Sequence, residues 1–119
     1  MITIKEEVRS ALSELELPLV YGYPRCFVRL PLVAWRESLN QRHAQADGRE
    51  HLAELNYTLE IFAPDSESAD AILAAADERL RSLGLRREHA AEQYETDAAV
   101  SHITARYRCL ADGAGRIFQ

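Results

Sequence analysis

At 119 residues the chain has the length of one domain, and 47% hydrophobic against 28% charged residues is a globular balance that excludes intrinsic disorder. A net charge of −5 supplies no basic face of the kind that neutralises phosphates, so no specific nucleic-acid binding is expected. No apolar run approaches the roughly 20 residues of a membrane span, and the start Met1-Ile2-Thr3-Ile4-Lys5-Glu6-Glu7 lacks the basic head and apolar core of a secretion signal, which points to a cytoplasm.

The first predicted element is a helix. Thr3 and Glu6 fit a capping box, Ile4, Val8, Ala11, Leu12 and Leu15 recur on one helical face, and Pro18 stops the helix. Leu19 to Tyr23 is short, branched and aromatic, and Pro24 closes it, so it reads as a strand. The run Phe27 to Leu30 is broken by Pro31. Leu32 to Glu37 is the better strand, with Val33 and Trp35 on one face and Arg36 on the other. Ser38 to Arg49 turns polar around the turn signal Asp47-Gly48 and predicts a projecting β-hairpin arm.

The next strand carries the clearest alternation: Ala53, Leu55, Tyr57, Leu59, Ile61 and Ala63 on a buried face, Glu54, Asn56, Thr58 and Glu60 toward water or a partner. Asp65 or Ser66 caps a second helix whose stripe is Ala69, Ile72, Leu73, Ala76, Leu80 and Leu83, and Gly84 ends it. Leu85 to Ala90 predicts a short strand and Glu92 to Ala98 an irregular acidic connection. Period two then returns, with Ile103, Ala105, Tyr107 and Cys109 opposed to His102, Thr104, Arg106 and Arg108. Asp112 to Gly115 is a turn. The order α-β-β-β-α-β-β predicts an α+β two-layer sandwich: one domain over 1–119, a mostly antiparallel mixed sheet, two helices on one face and the arm at 38–49.

Chemistry-bearing patterns are sparse. Cys26 and Cys109 are too far apart for a CxxC motif and read as buried reduced thiols, with a disulfide between them as the alternative. None of His43, His51, His89 and His102 has ligand spacing to another histidine or to a cysteine, so all four read as surface or loop histidines. Alternation places His102 and Cys109 on opposite faces, too far apart for a catalytic pair. Asp112-Gly113-Ala114-Gly115 lacks the following helix of a phosphate loop. The expectation is a protein that is not an enzyme and needs neither cofactor nor metal. If the two long strands are neighbours, their polar faces oppose acidic to basic side chains, either as a solvated ladder or as an interface.

Several phrases resemble a family. Val20-Tyr21-Gly22-Tyr23-Pro24, Leu30-Pro31-Leu32-Val33, the polar hairpin, Tyr57-Thr58-Leu59-Glu60-Ile61-Phe62-Ala63 before an alanine-rich helix, and Arg106-Tyr107-Arg108-Cys109 are similar over nearly the whole chain to small tail-terminator or tail-completion proteins of long-tailed bacteriophages and prophages. The resemblance implies a subunit of a homo-hexameric ring that caps the tail tube, ends its polymerisation and contributes to head–tail joining. Its partners would then be itself, the tail tube protein and head–tail connector proteins, first in the host cytoplasm and then in the virion. Two alternatives are a head-completion or adaptor protein of the same virion and a ferredoxin-like ligand-binding or regulatory domain. Ring contacts are expected on the arm at Arg42, His43 and Asp47 and on the polar face at Glu54, Glu60, Arg106 and Arg108.

Overall fold

The computed structural model describes residues 1–24, 29–46, 49–96 and 98–119. The chain runs α1 (Lys5–Ser13), β1 (Leu19–Tyr21), β2 (Leu32–Ala46), β3 (Arg49–Ala63), α2 (Ser66–Leu83), β4 (Arg86–Glu95), β5 (Val100–Asp112) and β6 (Ile117–Phe118). One sheet holds the strands in the order β1-β2-β3-β5-β4, with β6 on β5. β1 is parallel to β2 and every other pairing is antiparallel. Both helices lie on one face, so the architecture is the α+β sandwich that the alternation predicts.

Side-chain alternation decides which face the helices cover. Ala53, Leu55, Tyr57, Leu59, Ile61 and Ala63 of β3 are fully buried, and they pack with Trp35, Ala105, Tyr107 and Cys109 against Ile4 at the start of α1, Val8 and Leu12 within it, and Ala76 and Leu80 of α2. Alanines at 69 and 76 let α2 approach the strands closely, each being fully buried. Asp65 caps α2 by accepting the Ser68 N–H at 2.7 Å, and Gly84 ends it at φ +117°.

The arm is the extension of this sheet. The β2–β3 ladder begins at Leu32↔Phe62 and continues to Ala46↔Arg49, with shifts between Glu37 and Leu39 and on either side of Ala44. A 15-residue strand at about 3.3 Å per residue spans roughly 50 Å, which accounts for the 53 Å long axis of a molecule only 24 by 21 Å across. The predicted turn at Asp47-Gly48 lies outside the described residues.

The structure corrects four expectations. Thr3 does not close a capping box: α1 has no side-chain cap, and the Thr3 hydroxyl donates to Glu37 Oε2 at 2.6 Å instead. A β-strand carboxylate outcompetes the local backbone there. The first strand ends at Tyr21, since Gly22 leaves it at φ +97°. Glu92 to Glu95 are not irregular but continue β4 along β5 as far as Glu95↔Val100. His102 is not a surface histidine, being 8% exposed. Of the two cysteines, Cys109 is a free buried thiol and Cys26 lies outside the described residues.

Three buried acids make alkali the weak side of this fold. Burial, with the Glu37 carboxylate beside it, raises Tyr57 far above the ordinary phenol range; burial, with Asp77, does the same for Tyr107. Burial pushes the Cys109 thiol up to about 12. Raised groups keep their protons in the folded chain while the unfolded chain releases them. Their contribution is therefore complete below the ordinary thiol and phenol values and is lost as pH rises through the folded ones. Denaturant midpoints are expected to stay level up to about pH 8 and fall steadily toward pH 11. A midpoint unchanged at pH 11 would contradict the assigned burial.

Candidate functional site: the polar face of the sheet

Opposite the helices, the second sheet face presents Glu54, Asn56, Thr58, Glu60 and Phe62 of β3 beside His102, Thr104, Arg106 and Arg108 of β5. The two strands are direct neighbours in the register Asn56↔Arg108, Thr58↔Arg106, Glu60↔Thr104 and Phe62↔His102. The polar side chains therefore meet diagonally as well as directly.

Three ionic groups result, graded by depth. Arg106 pairs at 3.3 Å with Glu88, the residue at the register shift of β4, and both side chains are partly open to water. Arg108 Nε donates to Glu54 Oε2 at 2.9 Å, and both side chains are about four-fifths buried. That hydrogen bond to Glu54 raises the Arg108 pKa, holding the guanidinium charged. Deepest is a chain of four: Arg36 Nη1 donates to Glu60 Oε2 at 2.9 Å, His102 Nε2 meets Glu60 Oε1 at 3.0 Å, and His102 Nδ1 meets Glu95 Oε1 at 3.1 Å. Thr104 closes it with its hydroxyl 3.5 Å from Glu60 Oε1. The imidazole stacks on Phe62 with centroids 4.3 Å apart, and Tyr23 meets Phe62 edge-on at 6.0 Å.

This chain joins β2, β3, β5 and β4 through side chains alone. An imidazole carrying one proton donates to one of the two flanking carboxylates, and donation to both takes the imidazolium. Leu32, Ala34, Phe62 and Val100 form an apolar cluster on the same face. A dry side therefore flanks the ions and limits their access to water. In chemical terms the arrangement clamps four strands together. Nearer the arm, the Thr58 hydroxyl donates to Ser38 Oγ at 2.8 Å, while Asn56 Oδ1 is buried with no hydrogen-bond partner.

Six of the seven residues expected at an interface have a place in the described structure. Glu54 and Arg108 are brought together. Glu60 joins Arg36 and His102 and does not meet Arg106, which goes to Glu88. Arg42 and His43 are exposed on the arm strand, at Arg42↔Ala53, away from the deep chain of four. Asp47 lies outside the described residues.

Sequence reasoning missed Glu37. Its carboxylate accepts from the Tyr57 hydroxyl and the Thr3 hydroxyl, each at 2.6 Å, and from Asn40 Nδ2 at 3.1 Å. Asn40 also donates to the Ile2 carbonyl at 2.8 Å, so the N-terminal residues are tied to the base of the arm. The available signal was a carboxylate two residues after buried Trp35, which alternation places on the helix-covered face.

Elsewhere, a groove between α1 and α2 is lined by Glu6, Glu7, Glu14 and Glu78 with Ala11 and Leu83, and an Arg79–Glu14 ion pair at 2.7 Å spans it. Among the described residues no helix is long and apolar enough to cross a membrane. No protein-family model matches this sequence, and no curated protein is significantly similar to it.

Proposed function

We propose that this protein is a virion assembly subunit of the tail-terminator type, which forms a homo-hexameric ring on the end of a phage tail tube, halts tube growth and contributes to head–tail joining. Its partners in this reading are further copies of itself, the tube protein and connector proteins. It works in the host cytoplasm before it is carried in the virion, and it performs no catalysis. The observation that carries the reading is a β2–β3 hairpin that continues past the last β3–β5 pair, Leu52↔Asp112, in a molecule more than twice as long as it is wide. An arm of this length reaches beyond the body's own core and suits contact with a neighbour or a tube end.

The polar face supports the reading indirectly. Its charges are spent on holding the strands of one subunit together, which leaves the arm and the sheet edges as the surfaces for assembly. Sedimentation from micromolar to millimolar concentration is expected to reveal a species near six subunits, visible as rings by electron microscopy. A stable dimer overturns the hexamer, as does a monomer at every concentration with no ring on the grids.

A further inference from the structure

The sheet has open edges at β1 on one side and at β4, with the two-residue β6 beyond its end, on the other. Neither β1 nor β4 carries a strand on its outer side among the described residues. β4 is exposed from Arg86 through Tyr94 on both faces, and α2 reaches it through the Asp77–Arg87 ion pair at 3.5 Å. A ten-residue strand with free amide and carbonyl groups, no proline and one register shift is an open template for another strand.

We propose that copies join edge to edge, β1 of one copy pairing antiparallel with β4 of the next, so that the occupant of the β4 edge is a second copy of this chain. This rests on the ring reading above and names the contact that closes the ring. Strand direction supports it first. β1, β2 and β5 run one way, and β3 and β4 run the other. Rotation about an axis along the strands therefore brings β1 of one copy beside β4 of its neighbour in antiparallel sense, with helices on the same side in both.

Height supports it next. Following the register across the sheet, Val20 aligns with Ala34, Glu60, Thr104 and Ala91, and Tyr21 aligns with Trp35, Leu59, Ala105 and Ala90. The two open edges are level, so unsheared rotation sets Val20 against Ala91 and Tyr21 against Ala90. Each pair shares a face. Side-chain size fits as well, because Val20 and Tyr21 are 37% and 46% exposed and the alanines opposite are small and exposed. Charge fits too: the Lys5 ammonium lies 5.5 Å from the Tyr21 ring centroid on the helix-covered face, and Glu92, two residues from Ala90, is exposed on that same face.

The test is disulfide trapping under mild oxidation in the full chain carrying both Val20→Cys and Ala91→Cys, each checked by circular dichroism for an intact fold. Directly opposed residues of an antiparallel pair bring their Cβ atoms to about 4.5–5.5 Å, close enough for a bridge after small adjustment. The double variant is expected to give a ladder of linked species up to the ring on a non-reducing gel, and each single variant none. Linked dimers from Ala91→Cys alone mean a two-fold β4–β4 contact and overturn the proposal. A ring-sized species by sedimentation without a ladder overturns the edge pairing and leaves the ring reading standing. Absence of both ring and ladder removes the two together.

Discussion

Replacing Trp35 by alanine is expected to lower the stability of the folded chain by about 3–5 kcal/mol, the range for truncating a large buried aromatic. Trp35 is 1% exposed and belongs to the main core cluster. Its ring meets Tyr21 edge-on at 4.7 Å and Tyr57 at 6.4 Å, and the Arg9 guanidinium lies 5.6 Å above it. One side chain thus joins β1, β2, β3 and α1. The cavity left behind cannot close easily, because Tyr57 is held in place by its hydrogen bond to Glu37. For a domain of this size the loss corresponds to a fall in melting temperature of well over 10 °C. Thermal unfolding by circular dichroism measures it, and a fall under 5 °C would mean that the indole is not the centre of the core. Trp35→Phe, which keeps an aromatic face toward Tyr21, is expected to recover a large part of the loss.

The core was legible in the sequence where burial is one-sided. The Ala53 to Ala63 alternation on β3 and the Ala69 to Leu83 stripe on α2 each repeat with the period of their element, because one face packs and the other does not. The same reasoning explains why the sequence signal of β4 ends before the strand does. An edge strand exposed on both faces has no periodic reason to alternate, so Glu92 to Glu95 carry no strand signal although the backbone pairs as far as Val100. Long-range partners were equally silent. The hydroxyl of Thr3 goes to Glu37, 34 residues away, and no local pattern reports that competition.

The site was legible in part. Alternation put His102 and Glu60 on the same face, opposite the helices, and that placement is correct. Their burial was not foreseen, since it arises from tertiary contacts. One clue was present: Phe62 shares the face of Glu54, Thr58 and Glu60, and an aromatic there needs a cover. The stacked imidazole supplies it, with the Tyr23 ring edge-on.

That burial sets the second large effect. Glu60→Ala is expected to cost about 2–4 kcal/mol, read from the denaturant midpoint at pH 7. The Glu60 and His102 side chains are only 8% and 9% exposed, so removing the carboxylate leaves His102 Nε2 with the Thr104 hydroxyl, 3.5 Å away, as its remaining partner inside the fold. Arg36, with 41% of its side chain exposed, can turn to water, which keeps the cost below that of a fully buried pair. Truncating Glu88, whose partner Arg106 is 46% exposed, should cost under about 1 kcal/mol, the usual value of a surface ion pair. The contrast between these two variants separates a buried clamp from a solvated ladder. Equal losses would place all the ionic groups on one footing and remove the clamp. Joint replacement of Glu60 and His102 by leucine adds apolar surface beside Phe62 and leaves no buried charge unpaired between them, so it should recover part of the Glu60→Ala loss. If that double variant still sediments as a ring, the four-residue chain serves folding alone, and the contacts between copies must lie on the arm and the sheet edges.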